Sequence, residues 1–165
     1  MKLLLLFLVM GNWIHKDAPE LSTLRKLYYR AAVESAASVS LSKELKSVQL
    51  DAEPILVCYK GAAYMMEAKY AFNPISKLSR FSKGKNAIEH AIAREPSNME
   101  MRFIRFSIQT NLPGFLGYHT NISSDKQKLL AGVGNLKDKT LKDNITAYLI
   151  ASKKCTSEEI KKLQQ

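Results

Sequence analysis

SNMEMRFIRFSIQTNLPGFLGY, residues 97–118, decides the fold of this 165-residue chain. Side chains advance roughly 100° per residue around a helix. On that spacing Met99, Phe103 and Phe106 fall on one side and Met101, Ile104 and Ile108 almost opposite, with Arg102, Arg105 and Gln109 as a polar strip between them. A helix that is apolar on two sides is covered on two sides. We therefore expect a central helix with its cationic strip exposed at one edge. Ser97 and Glu100 have the spacing of a capping box, and Leu112-Pro113-Gly114 ends the helix after Thr110. The loop FLGYHTN follows. Phe115, Leu116 and Tyr118 are too apolar for a free loop, so it is expected to be pinned to the core, with Gly114 and Gly117 free to take positive φ.

Upstream of this stretch, residues 74–95 form the most basic part of the chain. Lys69, Lys77, Arg80, Lys83 and Lys85 occur with no acid between residues 68 and 88. Ile75, Leu78, Phe81, Ile88 and Ile92 give the segment a helical apolar seam. Lys85 sits in a seam position, where its stem can pack while its ammonium reaches water or meets Glu67. Asn73 and Pro74 suit the cap and first turn of this helix, and Glu95-Pro96 stops it. Before it, Asp51 and Pro54 open a helix with Ile55, Tyr59, Ala62, Met66 and Tyr70 on one face. Asp17 and Pro19 open another with Leu21, Leu24, Tyr28, Ala31 and Ala32 inward. A segment from Leu41 to Leu50 reads as its kinked continuation or a separate short helix. Downstream, Asn121 or Ser123 opens a helix carrying Ile122, Leu129, Leu130 and Val133. Asp138 or Thr140 opens the next, with Leu141, Ile145, Tyr148 and Leu149 inward. Thr156 with Glu159 forms a second capping box, and Cys155 with Ile160 a hydrophobic staple. No segment alternates with period two between turn residues, so no sheet is expected.

The first residues, MKLLLLFLVMGNWIHK, place Lys2 before an uninterrupted apolar run from Leu3 to Met10. The run is shorter than the about 20 apolar residues needed to span a bilayer. Residues 1–16 therefore read as a secretory signal peptide without a well-defined cleavage site, and 17–165 as one helical domain exported to the periplasm. Cys58 and Cys155 are too few and too far apart for a disulfide framework, although export would permit one bridge between them. With 25 Lys and Arg against 15 acids, the formal charge is +10 and the isoelectric point is near 9.6. That balance favours anionic partners or simply solubility.

The segments GAAYMMEAKYAF and FSKGKNAIEHAIAREP, followed by SNME, resemble a tetratricopeptide helix pair. Gly61, Gly84, Ala91 and the terminal Pro96 carry the likeness: small residues stand where such helices cross, and the proline ends the unit. The stretch from Tyr70 to Phe81 exceeds the repeat's tight turn by about ten residues, and no second copy recurs at a period of about 34 residues. The chain also looks like a family of small exported helical proteins from Bacteroidetes-type bacteria, on the segments YKGAAYMMEAKYAFNP, AIAREPSNMEMRFIRFSIQ and FLGYHTNISSDK. That resemblance implies export and an all-helical fold, and no assigned activity.

The chain carries no P-loop, dinucleotide fingerprint, H-E-x-x-H, G-x-S-x-G or clustered Cys/His spacing, so neither cofactor nor metal is expected. Nucleic-acid binding is disfavoured, because no recognised module or aromatic-interleaved basic patch is present. His119 near Ser123 and Asp125 does not define a triad, which is recognised by geometry. The sharper candidate site is Arg102, Arg105 and Gln109, with Tyr118, His119 and Lys60 as neighbours. Two guanidiniums one helical turn apart can clamp a carboxylate, phosphate or sulfate. The competing reading pairs these arginines with Glu67, Glu100 or Asp125, or with carbonyls of the FLGY loop. It takes precedence, since buried charges persist only when paired. The second candidate is the basic run Lys69, Lys77, Arg80, Lys83 and Lys85, either a face docking on an anionic surface or a solvated helix face. The expectation is thus one all-α domain of six to eight helices in a tetratricopeptide-like antiparallel array. It would act as a non-enzymatic binding or scaffold protein for a protein segment or an anionic ligand. An enzyme or accessory subunit holding an anionic substrate, or a peripheral envelope protein, are the alternatives.

Overall fold

A computed structural model describes residues 19–164; the signal-peptide reading of residues 1–16 lies outside them. The described residues form eight α-helices and no strand: α1 Leu21–Ala31, α2 Ser35–Glu44, α3 Pro54–Tyr70, α4 Pro74–Arg94, α5 Met99–Asn111, α6 Ile122–Gly132, α7 Lys139–Ala151 and α8 Ser157–Leu163. Short 3-10 turns at Gly114–Leu116 and Val133–Asn135 interrupt the connections. The chain is a single all-α domain.

The two apolar faces of α5 seed two core layers. Met101, Ile104 and Ile108 pack into a cluster with Leu24, Leu41, Val57, Tyr59 and Ile88 from α1 to α4. Phe103 and Phe106 pack into a second cluster with Leu129, Leu141, Ile145 and Leu149 from α6 and α7. Each large side chain removed from water here contributes about 1.5–3 kcal/mol. Every residue from Glu100 to Gln109 is buried, so the central position of α5 follows from its sequence. The exposed edge does not: Arg102, Arg105 and Gln109 are buried as well.

Helices α3 and α4 form the tightest pair, and glycine sets their separation. A Cβ on Gly61 would lie 2.8 Å from the Gly84 carbonyl oxygen, and one on Gly84 would lie 2.8 Å from that of Gly61. At both positions the lost side chain admits a neighbouring backbone. Only residues 71–73 separate the two helices, because Asn73 accepts from the amides of Ile75 and Ser76 and Pro74 takes the first position. The extra residues up to Phe81 are therefore helix and not a long linker. They form the first two turns of α4, which have little opposite them. Ile75 and Leu78 are exposed there, and the apolar seam holds only from Phe81 onward.

Other local readings are corrected in the same way. Glu20 is the N-cap of α1, so Pro19 precedes the helix and is not in its first turn; the reading of Asp17 as the cap lies outside the described residues. The segment after Glu44 is a series of turns and not a helix, with Leu45 and Val48 still buried. Glu53 precedes α3 with Pro54 in its first turn. Asn98, not Ser97, caps α5 by accepting from the Met101 amide, because Glu100 is engaged elsewhere. Asp138 caps α7, and the Thr156–Glu159 capping box forms as read. Of the FLGY loop, Tyr118 is buried and Phe115 is exposed, while Gly117 adopts a φ of 63°.

Three connections share one end of the domain. Lys69 donates to the Ala32 carbonyl, and the Tyr70 hydroxyl donates to that of Ala31 at 2.9 Å, joining the α1–α2 turn to the end of α3. A groove of about 400 Å³ between the start of α4 and the α5–α6 loop is lined by Met65, Leu78, Phe81, Leu112 and Phe115. Cys58 lies in the first core layer and Cys155 packs against the second. Both are free thiols, and no bridge joins them.

Candidate functional site

The strip on α5 is an internal ion network. Arg105 presents a two-pronged fork to Asp125 of α6, with Nε donating to Oδ2 at 2.7 Å and Nη2 to Oδ1 at 2.8 Å. Its remaining nitrogen donates to Glu89 of α4 at 2.6 Å. Arg102 donates from Nη1 to Asp125 at 2.8 Å and from Nε to the Pro96 carbonyl at 2.7 Å. Tyr118 donates to the other Glu89 oxygen at 2.6 Å. Asp125 is 0% exposed. Taking such charges out of water is costly, and only close geometry with further hydrogen bonds offsets it. Here the partners are complete around Asp125. Burial works against the Arg105 charge, but the Asp125 hydrogen bonds and charge, with that of Glu89, outweigh it and hold the guanidinium above its ordinary range. Burial, then the Glu89 hydrogen bond, pushes the Tyr118 hydroxyl upward.

A second network lies on the opposite side of α5. Glu100 receives Nε and Nη2 of Arg25 at 2.6 and 2.7 Å and the Tyr59 hydroxyl at 2.5 Å. Arg25 also reaches Asp138 at 2.7 Å, so one guanidinium ties α1 to α5 and α7. The Glu100 hydrogen bond, opposed by burial, raises the Arg25 pKa. Glu89, Arg25 and Asp138 are network members without a signal in the helical spacing, and Glu100, which fits both a capping box and an arginine partner by sequence, pairs with Arg25 and not with the strip. One signal was present: Glu100 and Asp125 bound a run of 24 residues, 101–124, without an acid. Isolated acids at the edges of such a run are the natural partners of arginines inside it.

The other expected members of the site are dispersed. The Gln109 amide nitrogen lies 3.4 Å from the Asn121 side chain, and its oxygen, like His119 Nδ1, is buried without a protein partner. Lys60 is not near the strip. It donates to the Val48 carbonyl and lines a cleft of about 460 Å³ on the outer face of α3 and α4 with Tyr64, Lys83 and His90. With Arg105 wholly engaged and Arg102 largely so, the strip presents no open anion clamp.

The basic run is not one face either. Arg80 pairs with Glu67 at 3.0 Å. Lys85 reaches neither water alone nor Glu67: its ammonium stands 5.4 Å above the Tyr118 ring centroid, a cation–π position. Lys83 points to the outer cleft. Lys69 and Lys77 flank the apolar groove at the shared end. That end also gathers exposed apolar residues. Among the described residues, seven large hydrophobics are exposed, and all but Leu50 lie on its three connections or the adjoining turns: Val33, Val39, Phe72, Ile75, Leu78 and Phe115. Apolar side chains concentrated in one place mark an interaction surface, whereas scattered ones do not.

Among the described residues, no helix is long and apolar enough to cross a membrane, and no group of three or more His, Cys, Asp or Glu is placed to hold a metal ion. The chain matches no protein-family model, no curated protein and no solved structure.

Proposed function

We propose that this chain is an exported, non-enzymatic binding or scaffold protein that engages its partner through the end formed by the α1–α2 turn, the α3–α4 turn and the α5–α6 loop. One observation carries the reading: among the described residues, six of the seven exposed large hydrophobics gather there, beside Lys69 and Lys77. Of the arginines best suited to hold an anionic substrate, Arg105 is meanwhile wholly engaged inside the fold and Arg102 largely so. Export rests on Lys2 and the apolar run Leu3–Met10, which have the form of a signal peptide. The small residues at the α3–α4 crossing support viewing that pair as a single tetratricopeptide-like unit within a family of small exported helical proteins of Bacteroidetes-type bacteria.

Site-specific photocrosslinking in native envelope extract tests this. A photoreactive residue at position 72 or 115 should yield adducts, and one at position 137, on the α6–α7 connection, should not. Equal adducts at all three positions, or none at 72 and 115, would overturn the assignment. If millimolar sulfate or phosphate stabilised the wild-type chain but not an Arg105→Ala variant, the anion-clamp alternative would replace it.

A further inference from the structure

We infer that the partner of this end is an anionic lipid surface, with Phe72, Ile75, Leu78 and Phe115 entering the headgroup region and Lys77 meeting lipid phosphates. The inference rests on the proposed assignment of this end as the contact surface. Three observations favour a bilayer over a peptide. First, the apolar residues sit on separate connections and do not line one groove. Phe72 is fully exposed, and Ile75 and Phe115 are 80% and 87% exposed; Leu78 and Phe115 border the groove beside the α5–α6 loop, whereas Phe72 lies with Val39 on a separate cleft beside α2. A peptide covers a stripe, whereas a planar surface meets the tips of several turns together. Second, the charge around the α1–α2 and α3–α4 turns is basic. The acids flanking these two turns, Glu34 and Glu67, are each paired with an arginine, Arg30 and Arg80. Lys77 has no ion pair among the described residues, and neither residues 68–88 nor 101–124 contain an acid. Third, aromatic and aliphatic tips beside lysines are the pattern by which proteins rest in a bilayer interface, where apolar area and anionic lipid act together.

The test is co-sedimentation of the full chain with vesicles containing phosphatidylglycerol and with vesicles of phosphatidylcholine alone. Wild type should bind the anionic vesicles at least tenfold more tightly, and about 500 mM salt should remove most of that preference, because the Debye length falls to a few ångströms. Lys77→Glu should weaken binding at least fivefold, since each lysine near an anionic surface contributes about that factor. Phe72→Ser with Phe115→Ser should weaken it at least tenfold. Both variants should melt like wild type, because these side chains are exposed. Binding that is equal on neutral vesicles, or unchanged in the variants, would overturn the inference. Failure to bind vesicles, with protein adducts still formed at positions 72 and 115, would overturn the lipid inference and leave the contact surface standing. Loss of both would remove both.

Discussion

Replacing Asp125 by alanine removes the keystone of the α5 network. Its carboxylate accepts three hydrogen bonds from two guanidiniums, whose side chains are 7% and 5% exposed. After the change Arg102 keeps only the Pro96 carbonyl and Arg105 only Glu89, which is itself 36% exposed. Removing one partner of a buried ion pair costs about 3–5 kcal/mol, because the charge left behind is uncompensated. Domains of this kind have about 5–15 kcal/mol in all, so the variant should fold only marginally. With a urea m-value of about 2 kcal/mol/M, the midpoint should fall by about 1.5–2.5 M. Asp143→Ala breaks an exposed pair with Lys139 and should move it little, as surface pairs do. Replacing Arg102 and Arg105 by Met together with Asp125→Leu should recover most of the loss, since apolar substitutes for a whole buried ion group are commonly neutral or stabilising. An Asp125→Ala midpoint equal to wild type at unchanged m would refute the structural role of the strip.

Gly61→Ala and Gly84→Ala should each destabilise by about 1–3 kcal/mol, although alanine is the better helix former by about 1 kcal/mol, because the added methyl meets a carbonyl oxygen at 2.8 Å; urea titration beside Gly134→Ala, whose Cβ meets open space, measures the contrast, and equal midpoints contradict the tight crossing. Burial, with the Glu100 charge behind it, pushes the Cys58 thiol well above its ordinary range, so iodoacetamide at pH 8 should leave Cys58 unmodified in native buffer and label it in urea; mass spectrometry that finds it labelled natively contradicts its placement in the core. Burial and the Glu100 charge also push Tyr29 up to about 12, while tyrosine in the unfolded chain ionises near 10. The neutral hydroxyl therefore contributes stability that is complete below about pH 10 and lost as the pH rises to 12; urea midpoints should fall across that window and fall less in Tyr29→Phe, and identical slopes would remove the effect.

Periodicity told which faces of a helix are apolar, and the structure bears this out where a neighbour exists to cover them. Met101, Ile104 and Ile108 opposite Phe103 and Phe106 became two core layers. Ile75 and Leu78 obey the same spacing as Ile88 and Ile92, yet they stand exposed, because a pattern names a face and not its partner. The burial of Arg102 and Arg105 was hidden for a related reason. Their shared acid lies 20 or more residues away on α6, and only the antiparallel return of that helix brings it under the strip. Asp125 was one of three candidate acids for these arginines, and nothing in the spacing separated it from Glu67 and Glu100. Ser97 and Asn98 are adjacent cap formers, and the choice between them depended on Glu100 being drawn to Arg25 and Tyr59 from α1 and α3. The exposed apolar end was least legible, since its residues come from separate connections that meet only in the folded chain.

Hydrogen exchange of the α5 amides tests most directly whether this helix is the covered centre of the domain. Amides 103–109 should exchange only through global opening, with a free energy equal to that of unfolding, while amides in the first two turns of α4 exchange faster by orders of magnitude. If the α5 amides exchanged as fast as those of residues 77–81, α5 would not be the buried centre, and the arginine strip would be open to solvent after all.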